Sequence, residues 1–222
     1  MRERLKILGR EASAVARQGT LMFLGRGRPR PALDAPRVVA FVHGYGAGGA
    51  VFDPLRRAVE GELGLPTLDF TYRSSWPFSR VLDALDAELA RVGDAELDLV
   101  GHSLGGLVAR WWVQEMGGAE RTRRVVTLAT PHAGTRSARV APGPLRAALM
   151  PQGAIVRRLA AGRHRATAVS HTALVAAADL LVTPPSSAAA LEDADVEWFD
   201  GLGHNAMLFD PRVHARVVTA LR

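Results

Sequence analysis

From Arg37 onward, short runs of mostly apolar residues alternate with segments whose apolar residues recur every three to four positions. The runs are RVVAFVH (37–43), PTLDF (66–70), ELDLVG (96–101), RRVVTLA (123–129), ATAVSHTALVA (166–176) and DVEWF (195–199). Between them lie periodic stretches at 50–63, 78–92, 104–116 and 185–192, with a closing helix near 211–221. Runs without polar alternation suit strands covered on both faces. Regular strand–helix alternation predicts parallel pairing through right-handed crossovers. The expectation is an α/β fold with a mostly parallel central sheet of about six strands and helices on both faces.

Two stretches depart from that rhythm. Residues 131–165 contain Pro142, Pro144 and Pro151 and predict a small cap-like insertion with two short helices. Its apolar residues Leu145, Leu149, Met150, Ile155, Val156 and Leu159 are expected to line a pocket wall, with Arg136, Arg139, Arg146, Arg157 and Arg158 facing water. Residues 1–24 read as a charged helix carrying Leu5, Leu8, Ala12 and Val15 on one face. The following GRGRPRPALDAP is too rich in Pro and Gly for a helix and reads as a linker. The expected organisation is therefore a basic helix and linker over 1–36 and one α/β domain over 37–222.

A chain of 222 residues, 48% hydrophobic and 23% charged, fits one globular domain. The absence of cysteine excludes disulfide scaffolds, cysteine nucleophiles and thiolate metal sites. No apolar run reaches the ~18 residues of a membrane span, and charge interrupts the N-terminal stretch before a signal-peptide core forms, so a cytoplasmic location is expected. The net charge of +6 is unevenly spread. Residues 1–37 hold nine basic and three acidic groups, and residues 121–165 hold ten basic and no acidic groups. No nucleic-acid-binding motif accompanies these blocks, so no nucleic-acid partner is expected. Peripheral attraction to anionic lipid and a merely solvated arginine face both remain open.

The strongest chemical signal is Gly101-His102-Ser103-Leu104-Gly105, a G-x-S-x-G set between the strand ELDLV and the helix LGGLVARWWVQEM. A serine in so tight a strand–turn–helix bend needs small neighbours, and the turn presents Ser103 Oγ above the sheet edge. A serine hydroxyl needs a base to take its proton. Among His132, His164, His171, His204 and His214, only His204 sits in a glycine loop (GLGHNAM) directly after the last strand. The other four read as pocket wall, arginine-rich surface, strand interior and surface helix. Among the carboxylates between serine and histidine, Asp179 follows a long apolar strand and precedes a Pro- and Ser-rich turn, with Asp200 the next choice. Such a carboxylate orients the imidazole and stabilises its protonated form. Oxyanion donors would be the backbone N–H of Leu104, after the nucleophile, and of Tyr45, in the glycine-rich loop FVHGYGAGG.

Together FVHGYGAGG, LVGHSLGGLVAR, TLATPHAGT, ADLLVTPPSSA and GLGHNAML resemble the α/β-hydrolase superfamily, and within it the bacterial triacylglycerol lipase and esterase group. The resemblance implies serine-dependent hydrolysis of carboxylic esters through an acyl-enzyme, on small-molecule ester or lipid substrates and without a cofactor. It carries Ser103, Asp179 and His204 onto the triad and the Tyr45 and Leu104 amides onto the oxyanion hole. An acyltransferase or thioesterase on the same fold, and a catalytically silent binding module, are the alternatives. The chain is short for the group, and residues 1–37 match nothing in its pattern.

Overall fold

The computed structural model describes residues 2–24 and 35–222; most of the expected linker, 25–34, lies outside the described residues. Six strands form one all-parallel sheet: β1 (Arg37–Val42), β2 (Thr67–Phe70), β3 (Glu96–His102), β4 (Thr122–Leu128), β5 (Ser170–Ala176) and β6 (Asp195–Phe199). Their spatial order is β2-β1-β3-β4-β5-β6. The α-helices are α1 (Arg2–Leu24), α2 (Asp53–Leu63), α3 (Phe78–Ala90), α4 (Leu104–Glu115), α5 (Arg146–Leu149), α6 (Ala154–Ala161) and α7 (Pro211–Leu221). Short 3-10 turns intervene. None of the described helices is long and apolar enough to cross a membrane.

The uninterrupted apolar runs are explained by burial on both faces. Along β1, Val38, Ala40 and Val42 join the core under α3 and α4, while Val39 and Phe41 join the core under α1, α2 and α7. All five are fully buried, and burying each valine or phenylalanine contributes roughly 1.5–3 kcal/mol. Local signals set the helix ends. Asp210 caps α7 by accepting from the Arg212 amide, with Pro211 in the first turn. Gly64 closes α2 with φ of 64°.

The segment at 185–192 is not an α-helix. It forms a short 3-10 turn over Pro185–Ala189 that ends at Ala190. β5 begins at Ser170, four residues later than the apolar run suggested, since Arg163–Ala166 winds into a 3-10 turn.

The insertion between β4 and β5 carries α5 and α6, as its pattern predicted. The five arginines named above are exposed, as expected. Its apolar residues are placed differently. Leu145, Leu159 and Val156 are buried, and Leu145, Leu149 and Leu159 pack into the core beneath α4 with Met150 and Ile155 against them. Only Leu149 of the expected set lines the cavity described below. A helix that must cover α4 turns its apolar stripe there, and little of it remains for a pocket.

The N-terminal helix also departs from its simplest reading. The stripe Leu5, Leu8 and Val15 is exposed. The helix seats on the domain through the neighbouring stripe Ile7, Glu11, Ala14, Gln18 and Leu21, whose members are buried or half-buried. It lies against the turns at Gly49–Phe52 and Ala206–Leu208.

Candidate active site

In a parallel sheet all strands end on one edge, so the segments following β1, β3, β5 and β6 gather there. Ser103 stands between β3 and α4 with φ of 55° and ψ of −125°. Non-glycine residues rarely adopt that region, at a cost of about 1–3 kcal/mol. Two backbone bonds hold the turn: the Ser103 amide donates to Leu128 C=O at 2.9 Å, and the Gly106 amide donates to Ser103 C=O at 3.1 Å. The small flanks are a steric requirement. A Cβ on Gly101 would lie 2.5 Å from the Gly106 Cα, and one on Gly105 would overlap the carbonyl oxygen of Val42.

The loop after β1 closes on the same point. A Cβ on Gly44 would lie 2.9 Å from Ser103 Cβ, so this glycine brings the Gly44–Tyr45 backbone beside the serine. The Tyr45 hydroxyl donates to Pro142 C=O at 2.5 Å, which ties the loop to the insertion. Leu104 is the first residue of α4, and its amide has no carbonyl partner within the helix.

His204 Nδ1 meets Asp179 Oδ2 at 2.7 Å, with both side chains buried. The other oxygen of Asp179 accepts the Leu181 and Val182 amides at 2.7 and 2.8 Å. Three donors around one carboxylate fix its orientation. The imidazole donates to it from Nδ1, which turns Nε2 away from Asp179. Asp200, the next choice from the sequence, is exposed.

Ser103 and His204 line one cavity of about 280 Å³, near the lower end of small-molecule sites, roughly 300–1,000 Å³. Its walls come from Ala138, Val140, Ala141 and Pro142 of the insertion, with Leu181 and Val182 from the Asp179 turn. Among the described residues, no carboxylate, lysine or arginine lines it.

The remaining histidines take structural positions. Burial pushes His43 down to about 4; its Nδ1 donates to Gly44 C=O at 2.7 Å and its Nε2 accepts the Tyr72 amide at 3.1 Å. His132, expected as pocket wall, turns instead into a buried group. Its Nδ1 accepts from Arg110 at 3.0 Å and its Nε2 contacts Thr127 Oγ1 at 3.0 Å. Burial, reinforced by Arg110, holds its pKa well below the ordinary value. His171 is buried in β5, and burial followed by the charges of Arg163 and Arg110 pushes it down to about 3. His214 donates to Leu208 C=O at 2.8 Å, and His164 is exposed beside Ala161 C=O.

Three residues around His204 were not identified from the sequence. His102, the variable residue inside G-x-S-x-G, donates from Nε2 to the His204 carbonyl at 3.1 Å. Burial, together with the nearby His204, keeps its pKa well below 6.5. Its signal was present in the motif but has no meaning until the His204 loop is placed. From α1, Gln18 lines the cavity and Glu11 bonds the backbone after His204. No local pattern links a helix at residues 2–24 to a loop some 190 positions later.

The all-parallel sheet, the serine turn on β3 and the histidine loop after β6 define an α/β-hydrolase fold. Residues 61–152 match the model of the family described as alpha/beta hydrolase fold. The chain resembles the Bacillus licheniformis lipase BlEst2 in mature form at a TM-score of 0.68 and 15% identity, covering 88% of this chain and 96% of that one. It resembles a Paleococcus ferrophilus monoacylglycerol lipase at a TM-score of 0.62 and 18% identity, covering 82% and 92%. In sequence, 79 residues are 37% identical to a pimeloyl-[acyl-carrier protein] methyl ester esterase of Neisseria meningitidis. That match spans 34% of this chain and 25% of the relative's length.

Proposed function

We propose that the protein is a serine hydrolase that cleaves carboxylic esters. The observation that carries this reading is the His204–Asp179 bond of 2.7 Å behind a cavity that His204 and Ser103 both line. Ser103 Oγ attacks the ester carbonyl carbon while His204 Nε2 takes its proton. The amides of Tyr45 and Leu104 receive the oxyanion. His204 then protonates the departing alcohol, leaving an acyl-enzyme that water hydrolyses with His204 again as base. The uncharged lining suits an aliphatic acyl group, and the modest volume favours short to medium chains. The esterase name of the Neisseria meningitidis relative and the lipase names among the structural neighbours agree with an ester as the scissile group.

The test is labelling by a fluorophosphonate probe, followed by initial rates on p-nitrophenyl esters of increasing acyl length. Labelling that Ser103→Ala abolishes, with rates highest on the shorter esters, is the expected result. A wild-type protein that does not label would point to a silent binding module. An acyl-enzyme does not fix its acceptor, so partition of product between water and added alcohols or thiols separates a hydrolase from an acyltransferase.

We also propose peripheral contact with anionic lipid on the side where the cavity opens. Val140 and Leu181, both cavity-lining, are exposed beside Leu180, and α1 exposes Met22, Phe23 and Leu24. Arg136 and Arg139 are exposed next to them. Salt-sensitive binding to anionic but not neutral vesicles is expected, at about 1 kcal/mol per basic group near the surface. Equal binding to both would overturn this contact and leave the hydrolase reading intact.

A further inference from the structure

We propose that Glu11, on the N-terminal helix, is a positioning residue for His204, so that α1 is a working part of the active site. The proposal rests on the reading of His204 as the base.

His204 is carried by a glycine-rich loop after β6, which the Ala178 amide ties to the end of β5 through Leu202 C=O at 3.0 Å. Gly201 has φ of 71°, and Gly203 directly precedes the histidine. Beyond that backbone bond, side chains from distant segments meet the residues at and just after the histidine. Asp179 fixes the ring at Nδ1, and His102 holds the His204 carbonyl. The third tie is Glu11. One carboxylate oxygen accepts the Asn205 amide at 2.8 Å and the Asn205 side-chain amide at 2.7 Å. The other accepts the Ala206 amide at 3.1 Å, with a longer share of the Asn205 amide, also at 3.1 Å. These amides open the 3-10 turn Ala206–Leu208, and its own backbone has no carbonyl to offer them. A carboxylate there makes charge-assisted bonds, the stronger kind.

The loop is shaped to receive this group. A Cβ on Gly203 would lie 2.5 Å from Glu11 Oε2, so a side chain there would push the carboxylate away. On the other side of His204, Arg10 of α1 donates to Gly201 C=O at 3.2 Å. One helix thus grips the loop before and after the histidine. Gln18, two turns further along α1, then reaches the cavity that His204 lines. Loss of the Glu11 bonds would free the His204 backbone to shift against Ser103 while Asp179 still holds the ring.

The experiment compares Glu11→Ala, Glu11→Gln and Arg17→Ala in the full chain. Arg17 serves as the control because its guanidinium lies 4.7 Å from the ring of Phe209, at the far end of the Ala206–Leu208 turn, and so anchors the same helix away from the Asn205 and Ala206 amides that Glu11 holds. The readouts are kcat and KM on a soluble ester, the rate of fluorophosphonate labelling, backbone hydrogen exchange at Asn205 and Ala206, and the unfolding midpoint. Glu11→Ala is expected to lower kcat and the labelling rate about tenfold or more, since a displacement near 1 Å can cost up to ~10²-fold. KM should stay within about twofold and exchange at Asn205 and Ala206 should accelerate. Glu11→Gln keeps one acceptor oxygen and should recover part of the loss. Arg17→Ala should leave kcat within about twofold even where it lowers the midpoint equally. Unchanged kcat in Glu11→Ala, a loss confined to KM, or an equal kcat loss in Arg17→Ala overturns the proposal. A wild-type protein that never labels overturns the nucleophile reading and the positioning role of Glu11 with it. Normal labelling in both wild type and Glu11→Ala overturns the role of Glu11 alone.

Discussion

The serine turn and the histidine loop sit at the same sheet edge but are built by opposite means. Around Ser103 nearly every constraint comes from residues close in sequence or from backbone packed directly against them. Gly101, Gly105 and Gly106 allow β3, α4 and the end of β1 to touch, and a strained backbone is held by two main-chain bonds. Around His204 the constraints are side chains from three distant places: Asp179 after β5, His102 at the end of β3 and Glu11 on α1. In the proposed mechanism, the nucleophile's strained geometry is thus held by packed backbone, and the base that passes a proton between two partners is held by side-chain hydrogen bonds.

The sharpest way to break this contrast is to attack the serine turn. Ser103→Ala should fold normally yet lose roughly 10⁴–10⁶-fold in kcat, as expected for a removed triad nucleophile; purified protein assayed on a short-chain ester gives the answer, and a tenth of the wild-type rate would remove Ser103 from the site. Gly105→Ala should instead damage the fold, because its Cβ meets the Val42 carbonyl. A loss of about 3 kcal/mol or more, within the range for buried overpacking and backbone strain, is expected in urea unfolding.

At the histidine loop the effects should grade by tie. Asp179→Asn should lower kcat by on the order of 10⁴ by inverting the preferred imidazole tautomer. Asp200→Asn, at an exposed position, should cost less than about tenfold. The reverse ranking would transfer the orienting role to Asp200.

The smallest effect is on stability against pH. His43 and His171 have folded pKa values pushed down to about 4 and about 3 by burial. Below about 6.5 the unfolded chain takes up protons that the folded chain refuses, so stability is full above that pH and falls as the pH drops toward those lowered values. Each group contributes up to roughly 1.4 kcal/mol per pH unit in that window. His171→Leu should therefore flatten the fall between pH 7 and pH 5 by about 2 kcal/mol in urea titrations. An unchanged slope would mean that His171 is protonated in the fold.

Much of this was legible in the linear pattern. The six apolar runs became six parallel strands, because a strand covered on both faces has no polar alternation to show. The glycines around Ser103 announced a tight turn, and the glycine loop after the last strand announced His204. Asp179 stood out by following β5, and His204 does pair with it. The insertion's helices were visible too, but the direction of their apolar stripe was not. Leu145 and Leu159 serve the core under α4 as well as they would serve a pocket, and composition cannot tell the two apart.

By itself, then, the sequence determined the strand–helix alternation, the tight turn at Ser103 and the order of the three site residues, since periodicity and glycine placement act over a few neighbouring positions. Only the tertiary structure decided which stripe of α1 faces inward, which residues wall the cavity and how the His204 loop is held. Those depend on surfaces brought together by chain closure over long separations, such as Glu11 against Asn205. A carboxylate on a helix carries no local mark of the amides it will meet.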